Sequence, residues 1–370
     1  MGADLSALLK ESWTLVEEDQ ERVAGYFYAH IFTAHPHLRD MFPVQMQLQR
    51  ERLLSAIVST VHGFNDLERT DTYLRQLGRD HKKFSVEPEH YALVKSALLR
   101  ALRYYARGGW NLQFEQAWSD VYDLIAAKMI AGANEDDSPP YWYAEVVAHE
   151  RRGRDVAVFT CRPLRPMLFE PGQYCSLETH YQPRMWRTYS MANAPRPDNT
   201  IDFHVRALDS GWVSGPLVWR LRPGDLIKMA APMGSMTLDR QSKRDIVCVA
   251  GGTGLAPIKA IIDELSRHHN RSRFVHLFRG VRTRDDLYDR AHLDELVAAY
   301  PWLVLTRAVS DDPTFAEAEH GNVSDVLRRT GPWQNHDFYV CGSPAMVSAT
   351  LRAISDMNVP RMRVRYDTFA

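Results

Sequence analysis

"DIVCVAGGTGLAPIKAIIDELSRH", residues 245–268, decides how the second half of this chain is built. An apolar run from Ile246 to Ala250 leads straight into Gly251, Gly252 and Gly254, and a helical pattern starts at about Pro257. Strand, glycine turn, helix is the repeating unit of an open α/β sheet. Glycines let a backbone approach an anion closely, and the start of a helix offers N–H groups that no carbonyl has claimed. The run is not the GxGxxG fingerprint, and taken alone it reads equally well as a tight strand-to-helix turn. Its neighbours extend the pattern. "RFVHLFRG" (273–280), "WLVLTRAV" (302–309) and "DFYVCG" (337–342) read as buried strands separated by helices, so a doubly wound α/β region begins at about Arg244.

Upstream the pattern changes. "YWYAEVVAHER" (141–151), "VAVFTCR" (156–162), "QYCSLET" (173–179), "RTYSMA" (187–192), "IDFHVRAL" (201–208) and "DLIKMAAP" (225–232) are short extended runs with turn residues between them. That spacing predicts an antiparallel barrel from about 141 to 238. Before residue 135 the period is helical. Val23, Phe27 and Ile31 repeat at i, i+4 and i+8, and Leu53, Leu54, Ile57, Val58 and Val61 form a second stripe. Leu93, Ala97, Leu98, Ala101 and Leu102 form a third. An all-α region of six or seven helices should end near Gly132, where "GANEDDSPPYW" (132–142) reads as a helix stop and a linker. His81 follows Leu74, Leu77 and Gly78 at helical spacing, on the apolar side. Alone, it is an ordinary half-buried histidine.

The bulk numbers fit two to three domains. The chain has 370 residues, 45% of them hydrophobic and 25% charged, as in an ordinary globular protein. A net charge of −1 gives no sign of a polyanionic partner such as nucleic acid. No run of 18 apolar residues spans a membrane, and the N-terminus has no long apolar segment behind a basic start. The four cysteines form no CxxC pair, which fits a reducing cytoplasm and argues against a cysteine-built metal site.

Three motifs join the glycine turn. "RTYS" (187–190) lies within the barrel region, "YVCGSP" (339–344) lies near the end, and the chain closes on "RYDTFA". With these the second half resembles the ferredoxin–NADP reductase family, a flavin-binding barrel followed by a nicotinamide-binding domain. The resemblance implies that Arg187 neutralises the FAD pyrophosphate, Tyr189 packs on the isoalloxazine and Ser190 hydrogen-bonds near its reactive nitrogen. It implies that Val213 and Ser214 of "GWVSGPL" (211–217) donate to the pyrophosphate. Gly251, Gly252, Thr253 and Gly254 fall on the nicotinamide cofactor's phosphate turn. Cys341, Gly342 and Pro344 fall on the turn beside the nicotinamide, and Phe369 covers the flavin. Arg282 and Arg284 are either contacts to a cofactor phosphate or surface charge. Nicotinamide gives electrons in pairs, flavin returns them singly, and the usual single-electron acceptor is iron.

An all-α region of this length ahead of such a reductase is similar to a globin, and the whole chain resembles the flavohaemoglobins. "GYFYAHIFTAHPHLRDMF" (25–42), "QRERLLSAI" (49–57) and "HKKFSVEPEHY" (81–91) carry that likeness. It implies that His81 ligates haem iron, that Phe42 packs on the haem, that Leu53 walls the distal pocket, and that Tyr28 and Gln49 supply the distal polar contacts. A second pair, Tyr91 and Glu135, would orient the proximal imidazole, although Gly132 and the linker threaten the reach of Glu135. The reductase half looks nearer to the reductase components of aromatic-ring dioxygenases than to typical flavohaemoglobins.

The expected fold is multidomain: an all-α globin domain (1–135), an antiparallel β-barrel FAD-binding domain (136–240) and an α/β doubly wound NAD(P)-binding domain (241–370). The expected cofactors are haem b, FAD and NADH or NADPH. The resemblance implies a cytoplasmic, monomeric nitric oxide dioxygenase converting NO and O2 to nitrate. The alternative is an NAD(P)H-dependent flavin reductase serving another acceptor, with the globin as oxygen or NO sensor.

Overall fold

A computed structural model describes residues 3–62, 67–209, 211–267 and 273–369. The chain divides into two compact units, 1–141 and 142–370.

The first unit is all-α. Among the described residues its helices are α1 (Ala3–Thr14), α2 (Gln20–Ala34), α3 (Gln47–His62), α4 (Leu67–His81), α5 (Pro88–Ala106) and α6 (Leu112–Asn134). Val23, Phe27 and Ile31 are buried, as are Ile57, Val61, Ala97, Leu98, Ala101 and Leu102, so all three stripes face one core. Proline opens α5, where its missing N–H costs nothing. Asn111 caps α6, its side chain accepting from the Phe114 amide at 2.9 Å.

α6 runs past Gly132 to Asn134, two residues beyond the expected stop. The glycine has a packing role instead. A Cβ on Gly132 would run into the Arg75 backbone of α4, and one on Gly78 would run into the Met129 carbonyl of α6. The two bare positions let α4 and α6 cross backbone to backbone.

The second unit holds two sheets. β1 (Trp142–Arg152), β2 (Val156–Pro163), β3 (Tyr174–Thr179), β4 (Arg187–Ser190), β5 (Ile201–Arg206), the short helix α7 (Ser214–Trp219) and β6 (Leu226–Met229) come first. The strands pair antiparallel in the order β4-β3-β6-β1-β2-β5, and a bridge between Met191 and Phe203 links the two edges into a barrel. Its filling includes Phe159, Leu177, Met191, Phe203 and Leu217.

β7 (Ile246–Gly251), α8 (Leu255–Arg267), β8 (Val275–Val281), α9 (Arg290–Ala299), β9 (Leu303–Val309), β10 (Glu319–His320), α10 (Val323–Thr330), β11 (Asp337–Gly342), α11 (Pro344–Asp356) and β12 (Val364–Thr368) follow. These strands are all parallel, in the order β10-β9-β8-β7-β11-β12. β7 and β11 are buried along almost their whole length, as central parallel strands must be. The chain winds outward from β7 first through β8 and later through β11. The strand order therefore reverses between β7 and β11, and ligands of such sheets bind in that crevice.

All four cysteines are buried, and none forms a disulfide. No helix among the described residues is long and apolar enough to cross a membrane.

Candidate functional site

A cleft of about 1160 Å³ opens in the second unit along that crevice. The pairing of Ala250 with Cys341 brings the glycine turn and the "CGSP" turn side by side. Gly251, Gly252 and Thr253 line the cleft, and Gly252 takes a φ of 51°, which its bare Cα allows. Helix α8 starts at Leu255, two residues earlier than the sequence pattern predicts, directly behind the turn that lines the cleft.

Three expected residues do not line it. Gly254 faces away, where a Cβ would strike the Cys341 carbonyl. Cys341 is fully buried in the apolar core, and a Cβ on Gly342 would lie 3.2 Å from the Gly251 Cα. These residues shape the crevice by letting two backbones touch. Pro344 lines the cleft, as does Phe369, whose amide donates to the Gly342 carbonyl at 3.2 Å.

On the barrel side, Arg187, Tyr189 and Ser190 line the same cleft. They occupy the edge strand β4, whose one paired neighbour in the sheet is β3. Arg187 donates to the Trp186 carbonyl at 2.8 Å, and burial pushes the Tyr189 hydroxyl up. Val213 and Ser214 line the cleft at the start of α7, where amides have no intrahelical acceptor. Their loop is tied by the Gly211 amide donating to Leu208 at 2.9 Å and the Leu208 amide donating to Ser214 Oγ at 3.2 Å. Arg282 lines the cleft and pairs with Asp311 at 3.1 Å, whereas Arg284 pairs with Asp312 at 3.1 Å away from the lining.

Sequence reasoning missed His204, Arg206, Asp286 and Asp367, all of which line the cleft. A signal existed in "IDFHVRAL": Asp202, His204 and Arg206 stand at alternate positions of an otherwise apolar strand, so they share one face. Burial lowers the His204 imidazole to about 3 and raises the Asp367 carboxyl.

In the first unit, His81 is the last residue of α4. Its Nδ1 lies 2.8 Å from the Leu77 carbonyl, one turn back. A carbonyl only accepts, so Nδ1 carries the proton and the Nε2 lone pair is left to bind a metal. Burial holds the imidazole's pKa below its usual value and favours that neutral form. The adjacent charge is contained, since Lys83 holds Asp80 at 2.7 Å.

Tyr28 is buried on α2, and burial pushes its hydroxyl up. The hydroxyl donates to the backbone carbonyl of Gln49 at 3.1 Å, which joins the two expected distal residues through the main chain rather than through the glutamine amide. The Phe42 ring stands edge-on to Tyr28 at 5.7 Å, and Phe42 and Leu53 both pack on the same apolar cluster.

Glu135 corrects an expectation. It follows the last residue of α6, its side chain is 62% exposed, and it pairs with Arg75 of α4. The cause is the glycine crossing, which brings Arg75 beside the end of α6. Tyr91 lines a separate shallow groove between α5 and α6, with Tyr122 and the ion-paired Lys95 and Asp123. Glu135 does not line that groove. The Tyr91–Glu135 pair is therefore not formed.

Three family models match consecutive stretches: the globin model over residues 25–129, the oxidoreductase FAD-binding domain over 143–238 and the oxidoreductase NAD-binding domain over 248–352. The chain is similar to a flavohemoprotein of Bacillus subtilis (strain 168), 25% identical across 98% of this chain and 96% of that protein. Its second unit is also similar to the ferredoxin–NAD(P)(+) reductase component of a naphthalene 1,2-dioxygenase system from Pseudomonas putida. That match is 31% identical across 60% of this chain and 67% of the relative. Among solved structures, the flavohemoglobin from Malassezia yamatoensis with bound FAD and heme has the same fold, with a TM-score of 0.79 at 16% identity over 100% of this chain and 99% of that one.

Proposed function

The chain belongs to the flavohaemoglobin family, a haem–flavin oxidoreductase that uses NAD(P)H, and on that footing we propose that it is a nitric oxide dioxygenase turning NO and O2 into nitrate. The observation that carries the reading is the hydrogen bond from His81 Nδ1 to Leu77. It fixes the tautomer that a haem iron needs, in a chain whose other unit holds a cleft built for two dinucleotide-type cofactors.

Bound haem supplies an iron that takes up oxygen, and bound FAD converts a two-electron donor into single electrons. The chain's residues do the rest. His81 offers Nε2 as a neutral ligand. Tyr28 holds a protonated hydroxyl inside an apolar pocket, where Phe42 and Leu53 exclude water. Released from the Gln49 carbonyl, that hydroxyl would serve as a distal donor, with the Gln49 amide as a second. Arg187 and the amides of Val213 and Ser214 hold the FAD pyrophosphate. Tyr189 and Phe369 flank the flavin ring, and Ser190 donates to its edge. The turn from Gly251 to Thr253 takes the nicotinamide cofactor's phosphates, and Pro344 faces its ring.

NADH is the favoured donor, because Arg282 already shares its charge with Asp311 and a further phosphate would sit beside that carboxylate. Domain borders near 135 and 240, a monomeric state and a cytoplasmic location complete the proposal. A second reading is favoured by the 31% likeness to a dioxygenase reductase component: a flavin reductase for another acceptor, with the globin as sensor. Consumption of NO under air, measured with each nucleotide, separates the two. Background NO consumption beside fast reduction of an external acceptor would sink the dioxygenase.

A further inference from the structure

Behind the cleft lies a set of polar side chains that the proposed function leaves unused. His204 is only 4% exposed, yet it lines the cleft. Its Nδ1 lies 2.8 Å from the Tyr288 hydroxyl. Among the described residues neither the Tyr288 hydroxyl nor the other ring nitrogen of His204, Nε2, has a further partner.

These facts choose the tautomer. Were Nδ1 the donor, the tyrosine's own proton would have no acceptor, and burial holds that proton on its oxygen. With the tyrosine donating, Nδ1 accepts, the proton of the neutral imidazole sits on Nε2, and that N–H faces the cleft.

Arg279 stands behind the tyrosine. It is 1% exposed, and its guanidinium lies 5.5 Å from the centre of the Tyr288 ring. Its Nη1 donates to the carbonyls of Ala250 and Gly280 at 3.2 and 3.3 Å, while Nη2 has no partner among the described residues. A cation against the ring polarises the phenol and makes its hydroxyl a better donor. The charges around the set are balanced: Asp286 takes Arg206 at 3.3 Å, and Asp289 takes Lys259 at 2.6 Å together with Arg152.

The register gives the position. Met191 pairs with Phe203 across the barrel seam, so Ser190 and His204 are the next antiparallel pair and stand side by side on the cleft.

We propose that His204 contacts the flavin ring beside Ser190, presenting a fixed Nε2–H as hydrogen-bond donor, and that Tyr288 and Arg279 are the positioning residues that orient it. The inference rests on the FAD reading of the cleft. A donor aimed at the ring stabilises the reduced, more electron-rich form over the oxidised one, and so raises the flavin potential.

The test uses the full-length holoprotein, measuring FAD affinity by titration into deflavinated protein and the flavin midpoint potential by redox titration. His204→Leu should weaken FAD binding about tenfold, the upper end for one net hydrogen bond. It should also lower the midpoint potential, and a tenfold preference for the reduced ring corresponds to about 30 mV in a two-electron couple. His204→Gln keeps an N–H donor and should restore much of both. Tyr288→Phe removes only the orienting hydroxyl and should fall between them; should His204→Leu fail to fold, this variant carries the test. An unchanged potential in His204→Leu, or in Tyr288→Phe if that variant stands alone, overturns the contact. Weakened binding with an unchanged potential also overturns it, by moving the histidine to a phosphate. A wild-type protein that takes up no FAD overturns the cleft reading itself.

Discussion

The two units build their sites from different materials. In the reductase unit the cleft draws on backbone: the glycine turn against the "CGSP" turn, the start of α7 and the edge strand β4. In the globin unit the site rests on single side chains on separate helices, with His81 on α4, Tyr28 on α2 and Leu53 on α3. Backbone devices need particular residues at fixed offsets and so leave motifs. Side chains on helices need only the right phase, and a phase depends on how the helices cross.

The largest effect should come from removing one side chain of the globin unit. His81→Ala should abolish haem retention and the Soret band while FAD uptake stays intact. A Soret band surviving that change would remove His81 as ligand and with it this half of the contrast. A backbone substitution in the reductase unit should act differently. Gly254→Ala adds one carbon against the Cys341 carbonyl and, as overpacking in a tight site, should cost about 1–3 kcal/mol in denaturant unfolding of that unit. NAD(P)H-driven flavin reduction should fall, with the haem spectrum unchanged. Full stability in Gly254→Ala would mean that the close approach matters less than the side chains around it.

The smallest effect should come from Glu135. Its pair with Arg75 is solvent-exposed, so Glu135→Gln should change stability by less than about 1 kcal/mol and leave the resonance Raman iron–histidine stretch where it is. A lower frequency in Glu135→Gln would show that the carboxylate does act on His81. With the Leu77 carbonyl as the acceptor for Nδ1, the imidazole is held by a neutral group, and its donation to iron should be that of a neutral histidine.

The same contrast explains what was legible in the sequence. "GGTG" and "CGSP" are legible as turns because each follows directly from the strand it ends, and "RTYS" is legible as the extended run that forms β4. Even so, the sequence could not separate residues that line the cleft from Gly254, Cys341 and Gly342, which only let it close, because that depends on the pairing of β7 with β11. His204 is easily missed because "IDFHVRAL" reads first as one more extended run, and the polar face of Asp202, His204 and Arg206 emerges only when its alternate positions are separated. The helical stripes located the globin core. Glu135 misled because it lies at the end of α6, and its direction is set by the crossing at Gly78 and Gly132, which no spacing along one helix reveals.

The four buried cysteines bear on durability. Thiol chemistry runs through the thiolate, and burial raises Cys161 well above its usual range, pushes Cys248 up to about 12 and raises Cys341 as well. Each sulfur is also out of reach of solvent. On the present proposal the protein meets both oxygen and nitric oxide, and none of its four thiols is exposed to them. The folded chain should consume almost no Ellman's reagent in an hour at neutral pH, and all four thiols should react once it is unfolded in guanidinium.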